Sequence, residues 1–320
     1  MRILFVGNNQ TERCGVAEWG RHCVAALRKI GHAVFDWHQR EEPENPPIPD
    51  ADVVFANWHA GTLGWEPRWR TLGKLTSAYL HESSPAWNQP EHRPPLLDQV
   101  DMAFVDHPAV QGWKDFPTEV RVSNVIYFRT PVWDVVPKLR DSFAPASVRR
   151  ITIGCTGIRK EGLDAMLAFA QRQADQGRLY VDVWPSSDTD WRTPEEEVSR
   201  LSACWINVAH YGAGFGGQAS AMGALIAAGQ PILINSNRML ETWREYAEEG
   251  RWEVLQGSSG VAGKIPILPQ LYLDDDLERG LLTILADIRD GKARRPTWLR
   301  QQYSWPRQAE RMVREWERKL

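Results

Sequence analysis

Apolar strand-like runs alternate with helical patterns along most of this chain, which predicts an α/β fold of two doubly wound domains. Three observations carry the reading. The alternation itself calls for a parallel sheet in each domain, covered by helices on both faces. It lapses between residues 124 and 150, where Pro131, Pro137 and Pro145 sit among mixed charges, as an interdomain linker would. It then resumes and culminates in the stretch 211–241, where a glycine-rich loop leads into an apolar helix, a glycine turn and a buried strand.

In the first half, residues 2–7 (Arg-Ile-Leu-Phe-Val-Gly) are rich in β-branched and aromatic side chains and close on Gly7-Asn8-Asn9. They read as a first strand, too short and too soon broken for a signal peptide. Residues 16–30 place Val16, Trp19, Cys23, Val24 and Leu27 close to a 3.6-residue period, and Gly31 ends the helix. Residues 33–37 form a second strand, and residues 52–57 a third after the proline-rich connection 43–49. Apolar runs at 75–80 and 102–105 give a fourth and a fifth.

The second half repeats the pattern. Residues 151–154 read as a strand, 156–162 as a turn and 163–173 as a helix, followed by a strand at 179–184. Thr193-Pro194-Glu195-Glu196-Glu197 is a helix start, with a hydroxyl cap, proline at the first position and acids in the first turn. Strands at 204–208, 231–235 and 252–255 complete the second set, with a helix over 218–228 and a turn at Gly229. Asp274-Asp275-Asp276 precedes a helical run and reads as a cap rather than a metal site. The charged amphipathic segment 298–319 is broken or kinked by Pro306. The expected organisation is residues 1–135, 136–297, and a terminal helix over 298–320 that packs back toward the first domain.

Composition narrows the function classes. A chain of 320 residues accommodates one large or two medium domains. No apolar run approaches the ~20 residues that span a bilayer. Cys14, Cys23, Cys155 and Cys204 show no metal-ligand spacing and read as reduced thiols, so a cytoplasmic setting is expected. A net charge of −3 gives no global pull toward nucleic acid. Sixteen tryptophans exceed what core packing asks for and suggest aromatic surface for a ligand.

The chemistry-bearing residues fall at strand ends. Gly214, Phe215, Gly216 and Gly217 let the backbone approach a ligand, and the helix opening at Gln218-Ala219-Ser220 aims free N–H groups and a positive dipole end at it, which suits phosphate. Arg159 and Lys160, on the turn after Gly157, offer a bidentate fork and a compact charge, or simply a wet cationic surface. His81, in Leu-His-Glu-Ser, stands at a strand end, where it either orients a hydroxyl or packs at an edge. His59 is a second such position. His210 and Tyr211 flank the glycine loop and can stack on or bond a base. Between residues 58 and 93, Trp58, Trp65, Trp69 and Trp87 interleave with Arg68, Arg70, Lys74 and Arg93, a combination suited to sugars or to unstacked bases.

Taken in order, these motifs resemble the family 4 retaining glycosyltransferases of the GT-B fold, over most of the chain. The resemblance rests on Cys14-Gly15-Val16-Ala17-Glu18 after the first strand, on Trp58-His59 and Leu80-His81-Glu82 at strand ends, and on Gly157-Ile158-Arg159-Lys160-Glu161-Gly162. Gly214-Phe215-Gly216 through Gly229-Gln230-Pro231 and Tyr303-Ser304-Trp305 complete it. It implies two Rossmann-like domains facing across a cleft and a metal-independent, retaining transfer from a nucleotide sugar, UDP-sugar foremost, with no bound cofactor. On that footing His81, Arg159 and Lys160 are the catalytic candidates. Gly15, Gly157, His210, Tyr211, Gly214–Gly217 with Phe215, Gln218, Ala219 and Ser220 would hold the donor, and Trp58, His59, Trp87 and Arg93 the acceptor. One departure stands out: the two glutamates that often bracket the family's Gly-Phe-Gly segment are missing, with Ala213 and Gln218 in the neighbouring places. A compact enzyme with this aromatic and basic stretch resembles phage glycosyltransferases that decorate 5-hydroxymethylpyrimidines in DNA, acting in the host cytoplasm. A saccharide or lipid-linked acceptor is one alternative, and a catalytically silent nucleotide-sugar-binding protein, kept open by the missing glutamates, is another.

Overall fold

Side-chain alternation along the first strand sets the architecture of the N-terminal half. In β1 (Arg2–Gly7), Ile3 and Phe5 belong to one buried cluster while Leu4 and Val6 belong to another. A strand whose two faces are both apolar must be covered on both sides, and such strands assemble into parallel sheets. β1 is flanked by β2 (Ala33–His38) and β3 (Ala51–Trp58), followed by β4 (Gly73–Leu80), β5 (Met102–Val105) and β6 (Val125–Tyr127). The order is β2-β1-β3-β4-β5-β6, and every pairing is parallel.

The computed structural model of the protein describes residues 1–7, 15–38, 46–48, 50–59, 67–81, 95–105, 124–135, 150–155, 160–178, 180–184, 192–210, 221–237, 240–244, 246–247, 251–256 and 262–320. They divide into two compact units: Met1–Asp134 with Tyr303–Leu320, and Val135–Gln302.

In the first unit, α1 (Gly15–Lys29) and α8 (Trp305–Glu317) share one face of the sheet. Trp19, Cys23, Val24 and Leu27 of α1 and Trp305, Ala309, Met312, Val313 and Trp316 of α8 are the stripes they bury there. The opposite face was expected to carry helices too. Among the described residues it is covered instead by short 3₁₀ turns at Pro67–Thr71 and Pro95–Asp98, whose Trp69, Leu96 and Leu97 are fully buried. The segment 298–319 is indeed broken, one helix ending at Gln302 and α8 beginning at Trp305, and Pro306 falls in the first turn of α8, where a missing N–H costs nothing. Just before it, Val132 donates to the Tyr303 carbonyl at 2.7 Å and accepts from Trp305 N–H at 3.3 Å. β6 lies inside the stretch expected to be linker. Three residues of strand after Asn124 carry too little pattern to be read from sequence.

The second unit has β7 (Arg150–Cys155), β8 (Tyr180–Trp184), β9 (Ile206–Ala209), β10 (Ile232–Ile234) and β13 (Tyr272–Leu273) in the parallel order β13-β10-β9-β7-β8. Its helices are α2 (Lys160–Asp175), α3 (Pro194–Ser202), α4 (Ala221–Ala228), α5 (Glu241–Arg244), α6 (Leu277–Arg289) and α7 (Thr297–Gln302). Thr193 caps α3 in a reciprocal box with Glu196. Gly229, at φ +72°, closes α4 in the left-handed conformation that glycine tolerates. Gly280 of α6 lies so close to β10 that a Cβ there would stand 2.7 Å from Leu233.

One expected member of this sheet belongs elsewhere. The apolar run at 252–255 forms β11 (Arg251–Gln256), which pairs antiparallel with β12 (Ala262–Ile267) as a separate hairpin. The two-residue β13 takes the sheet edge beside β10 instead. Periodicity identifies a strand but not its partner, which is why the misassignment arose.

α8 is fastened by Trp316. Its ring lies 5.1 Å from Phe55 and 6.1 Å from Phe104, and its Nε1 donates to Ser77 Oγ at 3.0 Å. Trp316→Ala is expected to lower stability by about 3–5 kcal/mol through the cavity it leaves. Trp316→Phe keeps a ring but orphans the buried Ser77 hydroxyl, at about 1–3 kcal/mol. Urea denaturation of the two variants checks both magnitudes and their order.

Candidate functional site

Both sheets place strand order 2-1-3-4-5 at their heart, and such sheets bind ligands outside the strand C-termini where the order reverses. In the first unit the reversal falls between β1 and β3, and in the second between β7 and β9. The crevice positions are therefore set by topology before any side chain is considered.

At the first reversal, α1 opens at the exposed Gly15 and β3 ends in Asn57-Trp58, with His59 following. His81 directly follows β4, its N–H donating to the Trp58 carbonyl at 3.3 Å. Asn57 is 1% exposed in the otherwise apolar run Val53–Trp58 of β3, and its amide joins three elements. Its Nδ2 donates to the Val16 carbonyl of α1 at 2.9 Å, so its Oδ1 must face the other way, where His81 Nε2 lies 2.6 Å off. An amide oxygen only accepts, so Nε2 carries the hydrogen, and the neutral ring keeps a lone pair on Nδ1. Burial, with His59 nearby, pushes the His81 pKa down to about 3, which holds the ring neutral. Trp19 and Tyr79 frame it edge-on at 5.3 and 4.9 Å, and stack on each other at 4.0 Å. Gly20 leaves room for the amide: a Cβ there would stand 2.8 Å from Asn57 Nδ2.

The same turn of α1 holds Glu18, buried beside Arg21 and His22. Burial raises its pKa, but hydrogen bonds from His22 and Arg21 outweigh that and hold it below the usual carboxylate range. His22 in turn stacks on Trp133 at 5.4 Å and Trp305 at 6.0 Å.

At the second reversal, Lys160 is the first residue of α2, and His210 directly follows β9. His210 Nε2–H donates to the Asp275 carbonyl at 3.2 Å. The acidic run has a structural job, as the sequence suggests. Asp276 caps α6 by accepting from Arg279 N–H at 3.1 Å, and Asp274 pairs with the Arg279 guanidinium. Asp275 accepts from Ser236 N–H at 2.7 Å and from its hydroxyl at 2.6 Å, bonds that lower its pKa. Among the described residues no group of three His, Cys, Asp or Glu side chains is placed to hold a metal ion.

The structure brings Gly15, Asn57, His59 and His81 to one reversal, and Lys160 and His210 to the other. Gly157, Arg159, Tyr211, Gly214, Phe215, Gly216, Gly217, Gln218, Ala219 and Ser220 lie outside the described residues, as do Trp87 and Arg93. In the sequence the first ten come directly after β7 and β9, the two strands that flank the reversal.

The aromatic and basic stretch requires a correction. Trp58 is 9% exposed and packs in the sheet core with Trp69, so neither ring is a stacking platform. The described cations of the stretch are engaged as well. Arg68 lies over the Trp37 ring at 5.0 Å, Lys74 bonds Asp52 at 2.8 Å, and Arg70 stands 3.9 Å from Asp101. Conversely, the sequence reading does not single out Asn57, although an amide inside Val-Val-Phe-Ala-Asn-Trp is a usable signal: a polar side chain in a buried run needs a partner.

Two outcomes follow. Gly20→Ala, which helix propensity alone would favour by ~1 kcal/mol, is expected instead to cost about 1–3 kcal/mol because the methyl strikes Asn57. Thermal or urea melting reads the sign. For His81, the unfolded chain takes up a proton near pH ~6.5 while the folded ring does not. The unfolded state therefore holds the extra proton below that pH, and stability falls as pH drops from about 6.5. His81→Gln should make the dependence of unfolding free energy on pH shallower by up to about one proton between about pH 4 and 6, as urea titrations at several pH values would show.

No protein-family model and no curated protein matches this chain. Solved structures do. An α-glucosyltransferase in complex with UDP and a 13-mer DNA containing a central A:G mismatch superposes over 97% of this chain and 93% of that one, with a TM-score of 0.52 at 12% identity. An α-glucosyltransferase bound to UDP and a 13-mer DNA containing a HMU base, at 2.8 Å resolution, does so over the same 97% and 93%, with a TM-score of 0.51 at 11% identity. At these identities the likeness is one of fold, and together with the two parallel-sheet units it establishes that the chain has the GT-B fold.

Proposed function

We propose that this protein is a glycosyltransferase that moves a sugar from UDP to a hydroxyl acceptor with retention and without a metal. The single observation that carries the reading is the coincidence of the strand-order reversals with the residues expected to do the chemistry. In the second unit, Lys160 opens the helix that follows β7 and His210 follows β9, the strands on either side of one reversal. A diphosphate there meets the N-terminus of the 16-residue α2 and the Lys160 position. UDP bound to structures of the same fold supports the choice of nucleotide.

In the reaction, the bond from the anomeric carbon to the diphosphate oxygen breaks and a bond to the acceptor oxygen forms. The acceptor's proton leaves with the departing phosphate. Cations and backbone amides stabilise the charge that accumulates on the leaving group, the largest contribution available without a metal. Arg159, Lys160, Gly214–Gly217 and Ser220 take that role, and Gln218 bonds a ribose hydroxyl in place of the family's glutamate. His81 and His59 serve the hydroxyl groups at the first unit's crevice.

For the acceptor we favour a 5-hydroxymethylpyrimidine in DNA, as for a phage enzyme working in the host cytoplasm. DNA in the superposing α-glucosyltransferase structures supports it. The buried Trp58 and Trp69 remove part of the aromatic face that first suggested it, so base recognition falls to other residues.

The test is direct. UDP at about 100 times its Kd should stabilise the protein by ~2.7 kcal/mol, seen as a raised melting temperature. Lys160→Ala should weaken UDP binding by roughly tenfold to a hundredfold, the worth of a charge-assisted hydrogen bond. Mass spectrometry of nucleosides, after incubation with UDP-sugars and hydroxymethylated DNA, should show an added hexose or pentose. Transfer to a saccharide alone would replace the DNA acceptor, and absence of any UDP-dependent shift would remove the glycosyltransferase reading.

A further inference from the structure

We infer that Asn57 is a positioning residue for transfer: it locks His81 in its Nε2–H form so that Nδ1 accepts a hydrogen bond from a substrate hydroxyl. The inference rests on the glycosyltransferase reading and adds to it the state in which its histidine works. Three features carry it. The first is geometric. The Val16 carbonyl fixes the orientation of the Asn57 amide, and the amide oxygen, 2.6 Å from Nε2, then dictates where the ring hydrogen sits. Had the histidine only to pack, either tautomer would serve. Here a buried amide, 1% exposed, is committed to selecting one.

The second is packing. Trp19 and Tyr79 hold the imidazole edge-on, and Gly20 gives up a side chain so that the amide can reach. The third is chemical: with the hydrogen placed on Nε2 by the amide oxygen, Nδ1 keeps its lone pair and is the ring's acceptor. Such a ring cannot donate from Nδ1, so its partner must be a donor, and a sugar or acceptor hydroxyl is the donor this reaction supplies. With a pKa held near 3 the ring is a poor general base. Its contribution is orientation, and the pH–rate profile of the wild type should have no limb from His81 between about pH 5 and 8.

The titratable and charged groups nearest the ring on the elements packed around it are His59 beyond β3, Tyr79 on β4, and Glu18, Arg21 and His22 on α1; on the same elements Asp52 pairs with Lys74, Arg28 with Asp36 and Lys29 with Asp134, and Cys23 is buried. Glu18 is occupied by its two neighbours. Asn57→Asp would therefore put the nearest carboxylate against Nε2–H. That favours the imidazolium, which carries hydrogen on both nitrogens and can no longer accept at Nδ1.

The experiment pairs ring ¹⁵N NMR of His81 with kinetics. In the wild type, Nε2 should show a protonated, pyrrole-type shift and Nδ1 a bare, pyridine-type shift from about pH 5 to 8. In Asn57→Asp the ring should take up a proton within that range. Its kcat should fall roughly tenfold at the acidic end, about the worth of one neutral hydrogen bond, and recover as pH rises. If the hydroxyl belongs to the donor sugar, acceptor-free hydrolysis of the UDP-sugar falls in parallel, whereas an acceptor hydroxyl leaves hydrolysis unchanged. A wild-type ring with hydrogen on Nδ1, or an Asn57→Asp profile that overlays the wild type, overturns the inference even if transfer proceeds. An Nε2–H ring in a protein that neither binds UDP nor turns over any UDP-sugar retires the parent reading, and the positioning role of Asn57 goes with it. Should Asn57→Asp not fold, the wild-type spectrum alone still decides the tautomer.

Discussion

A parallel sheet buried on both faces leaves almost no place for polar chemistry except the ends of its strands. In the first unit, Ile3 and Phe5 serve one apolar layer and Leu4 and Val6 the other, and β3 and β4 divide their side chains in the same way. An unpaired polar group in either layer costs about 1–3 kcal/mol. Helix N-termini, loops and polar side chains therefore collect beyond the carboxyl ends, and the reversal in strand order opens a crevice there. The second unit obeys the same rule, with Met166, Phe169, Leu281 and Ile284 of its helices covering one face.

Asn57 is the exception that the constraint tolerates. It sits within the buried part of β3, yet its donor and acceptor sides are satisfied by Val16 and His81. The amide thereby ties the start of α1 to the ends of β3 and β4. The depressed pKa of His81 follows from the same enclosure, which removes water from the ring, and from His59 nearby. One arrangement thus places the histidine, decides its charge and chooses its tautomer.

Much of this was legible beforehand because the signals were local. The 3.6-residue stripe of Trp19, Cys23 and Leu27 marked α1, and Thr193-Pro194 with three glutamates marked the start of α3. The Asp274–Asp276 run was readable as a cap because Asp276 acts on an amide only three residues away. The illegible parts depended on partners distant in sequence. β11 pairs with β12 in a hairpin, while the sheet edge it was expected to occupy is taken by the two residues of β13. Trp58 and Trp69 looked like ligand surface because interleaved Trp and Arg are compatible with either an exposed face or a core rimmed by cations. Burial resolves that ambiguity, and periodicity does not.

What the amino-acid order determined by itself was most of the strands and helices and the α/β class, since each depends on propensities and periods within a few residues. Only the tertiary structure decided which strands adjoin, and so where each order reverses, because that depends on how whole apolar faces are shared. It also decided that an asparagine from one strand and a histidine from the next meet at 2.6 Å, a distance no spacing along the chain encodes.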